Sequence, residues 1–144
     1  MPSLVTERIE SVKAGVVGAG AFAISELAIT LFEIMLATAI IESKPTLIFP
    51  SWELLIQLAI GAVSGFLFGV TYRYVIRDDR NSHLNDGAVL AFGLVRGLAI
   101  VERSLVRSQL ILVIFLIVQS IVCFAIARLI LDLAIARKLI KPFI

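Results

Sequence analysis

Four long apolar runs constrain this chain more than any motif it carries. They extend from about Ala14 to Ile41, Trp52 to Ile76, Leu84 to Val101 and Leu110 to Leu131, the last continuing in helical register to Ala136. A helix needs roughly 20 apolar residues, with a range of about 17 to 25, to cross a hydrocarbon core about 30 Å thick. Inside that core every backbone N–H and C=O must be satisfied within the structure, and for runs of this length the helix does so. A small soluble domain has nowhere to hide them, because much of its surface stays exposed. Of the 144 residues, 60% are hydrophobic and 17% charged, against about half and a quarter in an ordinary globular domain. The expected fold is therefore all-α: an integral membrane four-helix bundle, forming a single membrane domain over residues 1–144.

The first run is long enough to tilt or protrude. The third is short, glycine-rich and interrupted by Arg96, so a re-entrant hairpin is an alternative to a full span. In residues 1–13, Leu4, Ile9 and Val12 are set among Thr6, Glu7, Arg8, Glu10 and Lys13. That pattern predicts an amphipathic interfacial helix, and it is too acidic and broken for a cleavable signal. Pro45 and Pro50 stop helices in the first connection. Ser51 is placed to cap the second helix, and Asn85 or Asp86 the third. Trp52 suits the headgroup level. Lysine and arginine set orientation. Arg8, Lys13, Arg73, Arg77, Arg80, Arg137, Lys138 and Lys141 fall on one side, and Lys44, Arg103 and Arg107 on the other. Both termini are thus expected on the cytoplasmic or stromal side, with the tail "ARKLIKPFI" at the interface.

The stretch "VVGAGAFA", Val16–Ala23, has the spacing of the Gly-x-Gly-x-x-Ala turn that cradles a dinucleotide. Such a turn needs a strand before it, an amphipathic helix after it and an acid about 20 residues on. Glu42 is suitably placed, yet "ERIESVK" reads as helix and no strand–helix alternation follows. Glu26 and Glu33 are the only charges between Ala14 and Ile41, which leaves no solvent face. Close packing in lipid accounts for the glycines better. There the hydrophobic effect does not draw helices together, and small residues four apart let backbones touch. Gly15, Ala19 and Ala23 form one such row, Gly61, Gly65 and Gly69 a second, and Gly93 and Gly97 a third. These seams imply a tight bundle that self-associates or docks on a partner.

Three charges lie within the runs. An ionised group near the bilayer centre costs about 2.5 to 3.5 kcal/mol and faces a partner or a cavity. Glu26 stands 12 residues beyond Ala14, and Arg96 stands 12 beyond Leu84. At 1.5 Å per residue both sit about 18 Å deep, from the same face, so an intramembrane Glu26–Arg96 ion pair is expected. Glu33 follows Glu26 by seven residues on nearly the same side. It either extends an ion path or meets Arg103 or Arg107 near the far interface. Arg128 and Asp132, four apart, form a local pair, and Gln57 and Gln119 are placed to bond across helices.

Catalytic chemistry has little footing. A net charge of +2 with no basic–aromatic cluster gives no case for nucleic acid. Cys123 is the single cysteine, inside an apolar run, and reads as packed or lipid-facing. His83 stands in the polar stretch near Asp78, Asp79 and Asp86, without the convergent ligands a metal needs. No nucleophile is paired with a base. The expected protein is not an enzyme and carries no cofactor or metal.

The segment "SGFLFGVTYRYVIRDDRNSHLNDGAVLAFGLVRGLA", Ser64–Ala99, about a quarter of the chain, resembles a small, poorly characterised family of cyanobacterial and plastid membrane proteins. The resemblance lies in Gly-x-x-x-Gly-Val-Thr-Tyr-Arg-Tyr and, past a polar loop, Gly-Ala-Val-Leu-Ala-Phe-Gly-Leu-Val-Arg-Gly-Leu. It implies a photosynthetic membrane, thylakoid or plasma, and brings no activity with it. Tyr72, Arg73, Tyr74 and Arg77 read as an interface collar, suited to anionic headgroups or an acidic partner. The expected function is an accessory, stabilising or assembly protein of a membrane complex, in contact with lipids and other subunits. The alternative is a small homo-oligomeric channel or transporter using Glu26, Glu33 and Arg96.

Overall fold

The computed structural model describes residues 3–41, 52–76, 82–103 and 109–143. Four helices follow one another: α1 (Leu4–Ile41), α2 (Trp52–Val75), α3 (Ser82–Arg103) and α4 (Leu110–Ala136). All four are long and apolar enough to cross a membrane.

Residues 4–13 do not make the separate interfacial helix that their amphipathic pattern predicts; they are the first turns of α1. The Ser3 hydroxyl accepts from the Thr6 amide at 3.3 Å, a side-chain cap well ahead of the apolar run. Glu7 sits in the first turn, where the helix dipole favours an acid. No proline intervenes before Ala14, so α1 runs unbroken for 38 residues, about 57 Å at 1.5 Å per residue. The Gly-x-Gly-x-x-Ala spacing lies wholly within this helix, so no nucleotide turn exists there.

Helix α3 bears out the third helix expected over about residues 84–101. It is one continuous helix of 22 residues, about 33 Å long, and not a re-entrant hairpin. Because it begins at Ser82, Asn85 and Asp86 lie inside its first turns and neither caps it. Ser51 lies outside the described residues.

Helices α1 and α2 pack most extensively, and their register is antiparallel. A Cβ on Gly69 would strike the Ala14 carbonyl, one on Gly65 would lie 2.6 Å from the Gly18 oxygen, and one on Gly61 would lie 3.1 Å from the Phe22 ring. Four residues forward on α2 therefore match four residues back on α1. The seam of α1 is Ala14, Gly18 and Phe22, flanked by Gly15 against the Phe66 ring and by Ala19 against Gly65. The row Gly15, Ala19, Ala23 is thus turned to one side of the contact. Gly20 has nothing within 4 Å. On α3, Gly93 and Gly97 meet Ile121 and Ile117 of α4. Both glycine seams are used inside the bundle, so neither is left to dock a partner.

An aromatic layer joins the four helices at the centre. Phe22, Phe68, Phe92 and Phe124 come one from each, with ring centroids 4.6 Å apart for Phe22–Phe124, 5.1 Å for Phe68–Phe124 and 5.4 Å for Phe68–Phe92. Such pairs contribute about 0.5–1.5 kcal/mol each beyond area burial. Helices α1 and α3 occupy opposite corners, and among the described residues no Cα of one comes within 8 Å of the other.

Helix α4 ends in a double-bonded turn: Leu139 N–H donates to Ala134 O and Lys138 N–H to Ile135 O, both at 2.9 Å. This is the arrangement that favours glycine at the left-handed position. Lys138 holds that position with φ 59°, at a cost of about 1–2 kcal/mol for a side chain. Lys138→Gly is therefore expected to stabilise the bundle by about 1 kcal/mol, read as a raised midpoint in thermal unfolding in detergent.

Candidate functional site

Glu26 sits one turn above Phe22 on α1, facing the open diagonal of the bundle. Arg96 reaches across from α3, and its Nη2 donates to Glu26 Oε1 at 2.7 Å. The side chains are 6% and 8% exposed. Gln57 Nε2 of α2 donates to the same oxygen at 3.2 Å. The guanidinium lies 4.9 Å from the Phe22 ring centroid, where the ring face attracts a cation. A Cβ at Gly61 would collide with Glu26 Oε2 and lie 3.2 Å from Arg96 Nη2. Gly61 therefore makes room for the ion pair as well as for Phe22, whereas Gly65 and Gly69 admit backbone. Acid and base together are neutral, which is how an apolar bundle tolerates either.

Around the pair lies a chamber of about 30 Å³ bordered by Glu26, Gln57, Arg96, Gln119, Ser120 and Cys123 among others. Glu26 Oε2 and Ser120 Oγ are buried with no hydrogen-bond partner among the described residues. Other hydroxyls turn back on their own helix: Ser25 to Ala21 O at 2.7 Å, Thr30 to Glu26 O at 2.9 Å and Ser64 to Ile60 O at 2.8 Å. Ser120 is the exception, and a space of this size and polarity suits a water molecule. Outside it, a groove of about 350 Å³ between α2 and α3 opens past Phe92 and Leu67 and reaches Arg96 and Gln57. Glu33 stands two turns above, with Oε1 buried and without a hydrogen-bond partner among the described residues. Arg107 and the side chain of Arg103, its expected neighbours, lie outside the described residues.

A second polar region closes the end where α1 begins and α4 finishes. Here the expected collar is corrected. Tyr72 and Arg73 are 0% and 1% exposed, so neither faces headgroups. Arg73 donates from Nη2 to Glu7 Oε2 at 2.5 Å, from Nη1 to Ser11 Oγ at 2.6 Å and Glu7 O at 3.1 Å, and from Nε to Lys141 O at 2.9 Å. It ties the start of α1 and the end of α2 to the C-terminal tail. Tyr72 donates to Asp132 Oδ1 at 2.6 Å, and Arg128 Nε donates to the Tyr72 oxygen at 3.2 Å. Arg128 also pairs with Asp86, so its 3.6 Å contact with Asp132 is one edge of a larger network. Tyr74 is exposed, its ring tilted against Phe143 at 5.0 Å between centroids, and Arg77 lies outside the described residues. His83 falls on the first turn of α3, and Cys123 is buried beside the chamber.

Glu26 and Arg96 stand together at the level their depths imply, and Gln57 bonds across to Glu26. Phe22, Gly61 and Ser120 join them without any signal in the sequence, since an apolar ring, a seam glycine and a helical serine are common in any span. Four helices long and apolar enough to cross a membrane, closed around an interior acid–base pair, suggest a helical membrane protein. Comparison with protein families, curated proteins and solved structures gives no match.

Proposed function

We propose that the protein is a non-enzymatic accessory, stabilising or assembly subunit of a membrane complex, with both termini on the cytoplasmic or stromal side. One observation supports this above the others. From Leu27 to Ile40 no residue of α1 is buried. By the register that pairs Gly65 with Gly18, the start of α2 at Trp52 is level with Leu31, so α1 continues beyond its neighbour. This length, half-buried at Ile29, Thr30, Glu33 and Thr38 and exposed elsewhere, is apolar except for Glu33 and two threonines. An acid on such a surface calls for a donor or cation opposite, and nothing in the described bundle supplies one. The partner is an apolar helix presenting that group at the level of Glu33. A photosynthetic membrane is proposed on the sequence resemblance alone.

A photocrosslinker at Met35, followed by purification in mild detergent and mass spectrometry, tests the reading. A heterologous membrane protein captured at Met35, and released by Glu33→Leu, is the expected result. Capture of nothing, with the chain running as a monomer, contradicts it. Glu26 Oε2, the chamber and Glu33 above it favour the second reading, a homo-oligomeric proton or cation path. That reading requires pH-driven flux in liposomes, lost in Glu33→Gln; the accessory reading expects none.

A further inference from the structure

Correcting the collar moves the question of lipid contact to another face. The tail after α4 turns back at Lys138 and lies along the start of α1, held by Lys141 N–H on Glu10 Oε2 at 3.0 Å and by Arg73 on Lys141 O. Between tail and helix runs a groove of about 540 Å³. Its walls are Ile9, Val12, Val16 and Leu139, all more than half exposed, with Arg8 and Lys13 at its edge. Arg137, Lys138 and Lys141 flank Leu139 and Ile140 in the chain. The acids on this side are committed: Glu7 to Arg73, and Glu10 to Lys13 and the Lys141 amide. Arg8 makes no ion pair among the described residues.

We infer that this groove binds one anionic two-tailed lipid, its acyl chain along Ile9, Val12 and Val16 and its headgroup on Arg8 and Lys13. Apolar walls and cations are arranged in the order a lipid presents them. Val16 lies deeper along α1 than Arg8, and Arg8 stands near the helix start where the headgroup layer would be. A neutral lipid fills the walls and leaves Arg8 unanswered, since Lys13 already has Glu10. A free anion answers the cations and leaves the walls bare. The site does not depend on a partner at the other end of α1, so it stands or falls separately from the accessory reading.

Each basic residue near a membrane surface contributes about 1 kcal/mol toward anionic lipid, and 1.4 kcal/mol is tenfold. Lys13 is already neutralised by Glu10, so Arg8 alone sets a preference of about fivefold for phosphatidylglycerol over phosphatidylcholine. The experiment uses the full chain in nanodiscs of phosphatidylcholine with a small fraction of phosphatidylglycerol, reading retained lipid by native mass spectrometry and unfolding midpoint by heat. One phosphatidylglycerol retained per chain, with a raised midpoint, is expected. Arg8→Gln, which breaks no ion pair seen in the bundle, should lower the preference about fivefold, from the same 1 kcal/mol. Val16→Trp fills the wall and should abolish retention while the midpoint in pure phosphatidylcholine holds. Equal retention of both lipids overturns the inference. So does stabilisation by inorganic phosphate alone that matches the lipid, or retention untouched by Val16→Trp.

Discussion

Arg96→Leu is expected to destabilise the bundle by about 3 kcal/mol, the cost of leaving a buried charge without its partner. The magnitude follows from placement. Glu26 is almost fully buried and takes its 2.7 Å hydrogen bond from Arg96. Only the amide of Gln57 remains to it afterwards. Because α1 and α3 do not touch through their backbones, the pair is also what spans that diagonal, and its loss is not absorbed by closer packing. Equilibrium unfolding in detergent should show the loss in the single variant and a smaller one in the Glu26→Leu, Arg96→Leu double variant. The difference is the coupling of a contacting pair. The charge exchange Glu26→Arg, Arg96→Glu should recover part of it, limited because the space beside Gly61 fits the present pair with its carboxylate on α1. An Arg96→Leu protein as stable as the parent removes the pair from the account.

The second large effect is at Gly65. Its Cβ would meet the Gly18 oxygen and the Phe22 Cβ at 2.6 Å and the Ala19 Cα at 3.1 Å. Two of these belong to backbone and cannot rotate away. Gly65→Ala should cost about 2–3 kcal/mol, at the upper end of overpacking, and Gly65→Leu should abolish the folded bundle. Gly20→Leu is the control. It sits on α1 two residues from Gly18, yet has nothing within 4 Å, so its stability should change by less than about 0.5 kcal/mol. Equal losses at Gly65 and Gly20 would mean that α1 and α2 do not meet along this seam.

The contrast between these glycines shows how far the sequence can be read. Spans are legible because lipid demands a long apolar run whatever the fold, and α2 and α4 begin where their runs begin. The level of Glu26 with Arg96 is legible too, because rise per residue converts position into depth. Rotation about a helix axis is not. In α1 small residues occupy two adjoining rows, Ala14–Gly18 and Gly15–Ala19, one residue apart, and only the shape of α2 decides which row makes contact. Arg73 was misplaced for a related reason. A cation at a helix end ordinarily reaches for water, and here a tail 68 residues further on folds over it. The turn at Lys138 that permits this carries no glycine to announce it.

The ion pair also sets an order on the making of the protein. Glu26 leaves the ribosome 70 residues ahead of Arg96, about 4–14 s earlier at 5–20 residues per second. Throughout that interval the acid lacks Arg96, its partner in the folded bundle. Gln57, 31 residues after Glu26, is the first group that can shield it. The pairing that joins α1 to α3 can therefore form only once the third helix has been made, so it belongs to a late step in the assembly of the bundle.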